Sequence, residues 1–207
     1  MVTHTFAELL LPEAERLCDL TGIQLDLESA KDFAARLIQH VESKNHDGLV
    51  LDALTVAAIV RHNRPFVTCV RRRLRAEVLS LLDDDQRMAH ETLRAWRDKH
   101  IAHSVNSFEE GQPVARFCLE RVREEGIYGV ECNYSRVLSF GTQLARTLID
   151  LADIYLAYVA SEVAREKAKL LVRAREIPVD DLLDPSRQSG IGFGRRAIDK
   201  ARKFLWR

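Results

Sequence analysis

The sequence predicts an all-α fold: a helical bundle with an inserted β-hairpin and a long C-terminal helix. Three observations predict it. Apolar residues recur at three- and four-residue steps through most of the chain. Residues 112–134 break that period with two alternating stretches around "REEG". From Ser135 to about Arg175 the helical period returns without interruption.

The elements follow in order. "TFAELLLPEAERLCDLT" reads as a first helix, which Pro12 either kinks or opens at its second half. "LESAKDFAARLIQHVESK" reads as a second, with Phe33, Leu37 and Val41 at four-residue spacing and Ser29 as N-cap. Leu49 to Val60 is nearly apolar and predicts a buried helix. Asn63-Arg64-Pro65 ends it, because the residue before a proline disfavours helix. "FVTCVRRRLRAEVLSLL" predicts a further helix with Val70, Leu74, Val78 and Leu82 on one face. The next starts at one of Asp83 to Asp85 as cap and turns Met88, Leu93 and Trp96 to the core.

The hairpin is expected at about residues 113–134. If it is symmetric about Glu125, Cys118 faces Cys132, within reach of a disulfide. In the long helix Leu144, Leu148, Leu151, Tyr155 and Tyr158 step as a bundle seam should. The bundle therefore spans residues 1–178, and Pro178 ends it. Residues 179–207 form a tail, acidic first and basic at its end. From Arg195 to Arg207 it holds six basic residues and one acid, a net of +5. Ile198, Phe204, Leu205 and Trp206 are its apolar anchors, and docking on the bundle is the expected role.

The 207 residues carry 31 basic and 31 acidic side chains, so global charge does not point to nucleic acid. The opening "MVTHTFAELLLPEAERL" lacks the basic start and apolar run of a signal peptide, and no uncharged run is long enough for a bilayer. A soluble cytoplasmic protein without membrane contact is expected. The four cysteines form no C-x-x-C pair, so no metal site is expected, and free, mostly buried thiols are. "GIGFG" is not a phosphate loop, since no strand precedes it and no Gly-Lys-Ser/Thr follows. No cofactor is expected.

The stretch "WRDKHIAHSVN", Trp96 to Asn106, concentrates polar chemistry on a core helix. At 100° per residue Arg97, His100 and His103 fan over an arc of about 120°, leaving Ile101 and Ala102 for the core. Such a set suits RNA cleavage without a metal. The ribose 2′-hydroxyl is an internal nucleophile, a histidine titrates where its base must, and an arginine fork can hold two phosphorane oxygens. Arg64 either reaches this cleft or serves a helix end. His90 and Arg94 line its rim or meet solvent. "RRRLR", Arg71 to Arg75, is either an RNA-backbone patch or a solvated face.

"RDKHIAHS" resembles the signature of the HEPN superfamily (higher eukaryotes and prokaryotes nucleotide-binding domain), in which a histidine follows an arginine and a polar residue after four to six intervening positions. Here these are Arg97, Asp98 and His103. Asp98 stands where the family most often has asparagine. The phrase with "AHSVNSFE" is most similar to the branch associated with abortive infection and toxin–antitoxin loci, and "RPFVTCVRRRL" also resembles an upstream segment of that branch. The resemblance spans roughly residues 45–175 and is strong at 93–108. It implies a HEPN-like bundle, a homodimer, and a metal-independent endoribonuclease acting at the dimer cleft, as a toxin or phage-defence effector with RNA as substrate and a cognate antitoxin as partner. Arg97, His103, Asp98 and His100 would be catalytic. Arg64, Lys99 and Arg94 would bind substrate. The alternative is a non-catalytic HEPN-like module that binds nucleotide, RNA or a partner protein. A single helix offers this set on a convex face, so a cleft needs a second copy, with the helix over 88–106 in the interface.

Overall fold

Apolar seams run along the two longest helices. In α1 (Ala14–Glu42), Leu20, Ile23, Leu27, Ala30, Ala34 and Leu37 are each almost fully buried, at steps of three and four. In α4 (Gly141–Arg175), Ala145, Leu148, Ala152, Tyr155 and Val159 do the same. Between them in sequence lie α2 (Gly48–Asn63), α3 (Asp84–Trp96) and two strands, β1 (Glu109–Phe117) and β2 (Ile127–Arg136). A short α5 (Val179–Leu183) follows α4. The computed structural model describes residue 9 and residues 11–44, 47–67, 72–74, 76–101, 109–117 and 126–183. The described residues are thus mostly helical, with one two-stranded antiparallel sheet among them. Among the described residues no helix is long and apolar enough to cross a membrane.

Several expected elements change. The first two helices are one. Pro12 sits in the turn ahead of α1, and Ser29, far from being an N-cap, lies inside it. Nothing between Thr21 and Ser29 breaks a helix: Gly22 alone costs only about 1 kcal/mol against alanine. The helix expected after Asn63 is absent from the described residues there. A 3₁₀ turn covers Arg64–Phe66, residues 72–74 are irregular, and a second 3₁₀ segment covers Ala76–Leu81. The apolar spacing still marks burial, because Leu74, Val78 and Leu82 are at most 4% exposed. Leu74 donates its N–H to the Pro65 carbonyl (2.7 Å), a tertiary bond in place of a helical one. Val70 lies outside the described residues. At the start of α2, Leu49 is 78% exposed, so only the later turns of that apolar run are core. Gly141 opens α4 at φ +81°, a left-handed conformation that a side chain would strain.

The chain divides into two units. One comprises residues 1–28, 64–81 and 152–207. Its buried set includes Leu20, Leu27, Val78 and Tyr155, and the ring of Phe66 meets Tyr155 edge-on at 4.9 Å. Here Arg64 donates Nη1 to Asp26 Oδ1 at 3.1 Å; the aspartate is 3% exposed, the arginine 42%. Asp19 accepts the Arg72 N–H at 3.2 Å.

The other unit comprises residues 29–63 and 82–151. It contains the later half of α1, α2, α3, the hairpin and the start of α4. Arg146 bonds Glu42 at 2.7 Å, and Arg136, at the end of β2, bonds Asp52 of α2 at 3.1 Å. The hairpin register differs from the expectation: Cys132 faces Pro113, and the ladder closes at Phe117 opposite Ile127 with a bulge beside Arg116. Centring the turn on Glu125 placed it too late. Cys118 lies outside the described residues. Cys18 and Cys132 are free and exposed, not buried.

The Arg64–Asp26 pair should hold the first unit. Arg64→Ala removes a cationic partner of the buried Asp26 carboxylate and should cost roughly 2–3 kcal/mol, less than a fully buried pair because solvent screens Arg64. Asp26→Asn, which removes the charge but keeps the shape, should cost less. Denaturant midpoints check the order; equal small losses would mean the pair holds nothing.

Candidate functional site

The helix that carries the site is set at its start by Asp83. Its carboxylate accepts the Gln86 N–H (2.8 Å), and the Gln86 side chain accepts the Asp83 N–H (3.1 Å), a complete capping box. From there the buried face is His90, Leu93 and Trp96, at three-residue steps. Trp96 meets Phe140 edge-on at 6.1 Å and is a core anchor. Met88, expected in the core, is 65% exposed. His90, expected at the rim or in solvent, takes the core position instead and is 2% exposed.

The end of α2 grips the end of α3. Asn63 is buried, and its amide donates to Ile59 O (2.9 Å) and to Leu93 O (3.2 Å). Beside it, the fully buried His62 ring lies 5.9 Å from that of His90. Burial, and then the neighbouring His90, push the His62 pKa down to about 3. Burial also lowers that of His90, with Glu91 opposing and Arg94 assisting. Both rings are therefore neutral core groups at pH 7.

After Trp96 the backbone changes its winding. The Arg97 N–H donates to both Leu93 O and Arg94 O, and Arg97–Ile101 form a π-helical turn. A third donor, the Asn63 amide, reaches the same Leu93 carbonyl. π turns concentrate at functional sites. The residues wound this way are "RDKHI". The fan of 100° steps therefore does not hold over them, since a π turn carries more residues than 3.6.

On this turn Arg97 Nη1 donates to Asp98 Oδ1 at 2.7 Å, and Arg94 Nε stands 3.9 Å from Asp98 Oδ2. Arg94 is exposed, Arg97 and Asp98 half-buried, and Lys99 exposed. Three cations and one carboxylate thus gather at the C-terminal end of α3. The backbone of His100 belongs to the π turn, while its side chain, and the whole of His103, lie outside the described residues. Arg64 belongs to the other unit, on Asp26. Among the described residues no three His, Cys, Asp or Glu side chains form a metal-binding group. The arrangement can bind an anion: a guanidinium has five donors, and Asp98 fixes the plane of this one through one of them.

No family model, curated protein or solved structure matches the chain.

Sequence reasoning missed Asn63, His62 and the core placement of His90. For His90 the signal was present, since it precedes Leu93 and Trp96 at their own spacing. For Asn63 there was none, because its second acceptor is thirty residues away.

The two histidines give a pH dependence with a definite sign. Their folded pKa values are depressed below the unfolded value of 6.5, so the unfolded chain takes up protons first as pH falls. Stability should be full above pH 6.5 and decline below it; His62 alone should remove about 2 kcal/mol by pH 5. Denaturation midpoints at pH 7 and pH 5 check this, with His62→Leu expected to flatten the decline. Parallel curves for the two proteins would contradict it.

Proposed function

We propose that this chain is a HEPN-type, metal-independent endoribonuclease, acting as a toxin or phage-defence effector in the cytoplasm. The observation that carries the reading is the π turn at Arg97–Ile101, which sets Arg97 and Asp98 together within the phrase that resembles the family signature. Its fold is then a HEPN bundle with an added hairpin.

The chemistry follows from the residue types. Arg97 holds the scissile phosphate and stabilises the charge that grows on its oxygens. Asp98 aims the guanidinium. Arg94 and Lys99, both exposed, add attraction for the RNA backbone. His103 takes the proton of the 2′-hydroxyl, which attacks the adjacent phosphorus and expels the 5′-oxygen. His100 or a water returns a proton to that oxygen. The product strand ends in a 2′,3′-cyclic phosphate. Two copies related by a two-fold axis form the cleft, with RNA as substrate and a cognate antitoxin protein as partner. Arg64 is the remaining substrate-binding residue in this scheme; its bond to Asp26 leaves that role to be tested apart from stability.

One observation favours a second reading. The 2.7 Å contact sets the Asp98 carboxylate against the guanidinium that phosphate would need. A non-catalytic module, binding nucleotide, RNA or a protein through the same cationic turn, accommodates that carboxylate more easily.

Purified protein incubated with total RNA in EDTA separates the two. The ribonuclease reading expects cleavage unaffected by chelation, and a loss of about 100-fold or more in Arg97→Ala and in His103→Ala with the helical circular dichroism unchanged. Cleavage that stops in EDTA and returns with magnesium would overturn the mechanism. RNA binding without any cleavage would favour the module.

A further inference from the structure

We propose that the apolar face of the β1–β2 hairpin is a homodimerisation surface, on which a second copy of the chain packs the same face of its own hairpin. The register separates the two faces of the ribbon, because side chains alternate along each strand. Pro113, Ala115, Phe117, Ile127, Val130, Cys132 and Tyr134 fall on one face, with the Glu109–Arg136 pair at its far end. The other carries Glu110, Gln112, Val114, Glu131, Asn133 and Ser135, with Arg116 bonded to Glu131 at 2.8 Å. Gly111 fixes the assignment: a Cβ there would stand 3.2 Å from the Tyr134 ring and 3.3 Å from Cys132 Sγ, so these share its face.

That apolar face is in water. Val130 is 74% exposed, Tyr134 63%, Ile127 60% and Phe117 48%. Four large side chains at such exposure, with their smaller neighbours, amount to roughly 500 Å², as large as the greatest apolar patch on an ordinary monomer. Fully covered, two such faces would bury about 1,000 Å², the lower limit for a specific interface. A two-stranded ribbon is also marginal by itself and gains most from cover on its apolar side.

The occupant follows from charge and shape. The two strands hold three glutamates and two arginines, so they offer RNA no electrostatic pull. The chain as a whole has a net charge of zero, so two copies do not repel. An apolar ribbon face can pack on a copy of itself, as an isologous contact requires, and sheets stack face to face about 10 Å apart. Pairing by the β1 edge is disfavoured because Pro113 has no N–H to donate. The tyrosine hydroxyl of Tyr134 can stay at the wet rim while its ring is covered.

The inference does not use the ribonuclease reading, and a binding module would dimerise equally well. Sedimentation of the full-length chain across micromolar concentrations should give a dimer. Val130→Glu, at an exposed position that the fold does not need, should raise the dimer dissociation constant about a hundredfold, because the two-fold axis brings two buried glutamates into one contact. Gln112→Glu on the polar face should leave it unchanged. Cys132 should react with a thiol reagent quickly when dilute and slowly when concentrated. A monomer throughout, a dimer untouched by Val130→Glu, or Cys132 protection independent of concentration (cover from within the chain) would each overturn the proposal. Cleavage by the Val130→Glu protein is read separately: a monomer that still cleaves sinks the two-copy cleft and leaves this interface standing.

Discussion

The buried amide of Asn63 is the contact on which the arrangement of the site depends. It joins the last turn of α2 to the last regular turn of α3 by donating to one carbonyl in each, Ile59 and Leu93. A buried amide left unsatisfied would cost about 1–3 kcal/mol, so the two helix ends are held in one register. The Leu93 carbonyl also accepts the N–H of Arg97, the first residue of the π turn. Everything polar that follows, Arg97, Asp98 and the backbone of His100, is wound from that point. The neutral His62–His90 pair fills the space beneath, so the same contact separates a dry histidine layer from a charged exterior one turn away.

Much of the fold was legible because burial follows the step of apolar residues. Leu148, Leu151 and Tyr155 were expected on one seam and are fully buried. The interruption at Asn63-Arg64-Pro65 and the cap at Asp83 were legible from local chemistry. What was not legible is non-local. Leu74, Val78 and Leu82 have helical spacing, yet the Leu74 N–H goes to Pro65 and Ala76–Leu81 winds as 3₁₀. The hairpin's register needs the position of its turn, and "REEG" placed that turn too late, so Cys132 meets Pro113. The α1 helix runs through a stretch where a cap residue suggested a boundary, because a serine inside a helix costs far less than breaking a buried seam.

For the site, residue types were legible and their winding was not. The sequence brings Arg94, Arg97 and Asp98 within one turn, and they do meet. It also suggests an ideal helical fan, which the π turn abolishes. Arg64 illustrates the opposite case. Its place before a proline left it either to reach a cleft or to serve a helix end, and a buried carboxylate thirty-eight residues earlier bonds it instead. A charged side chain's partner is set by which buried opposite charge it can neutralise, and no local pattern encodes that.

The central proposal is that His103, with Arg97 and Asp98, turns the RNA's own 2′-hydroxyl into a nucleophile. The most direct measurement uses an end-labelled RNA oligonucleotide that the protein cuts, and the same oligonucleotide with a single 2′-deoxynucleotide at the cut. The account predicts equal binding of the two and no cleavage at the substituted position, since DNA lacks the attacking group. Cleavage there at an undiminished rate would contradict it.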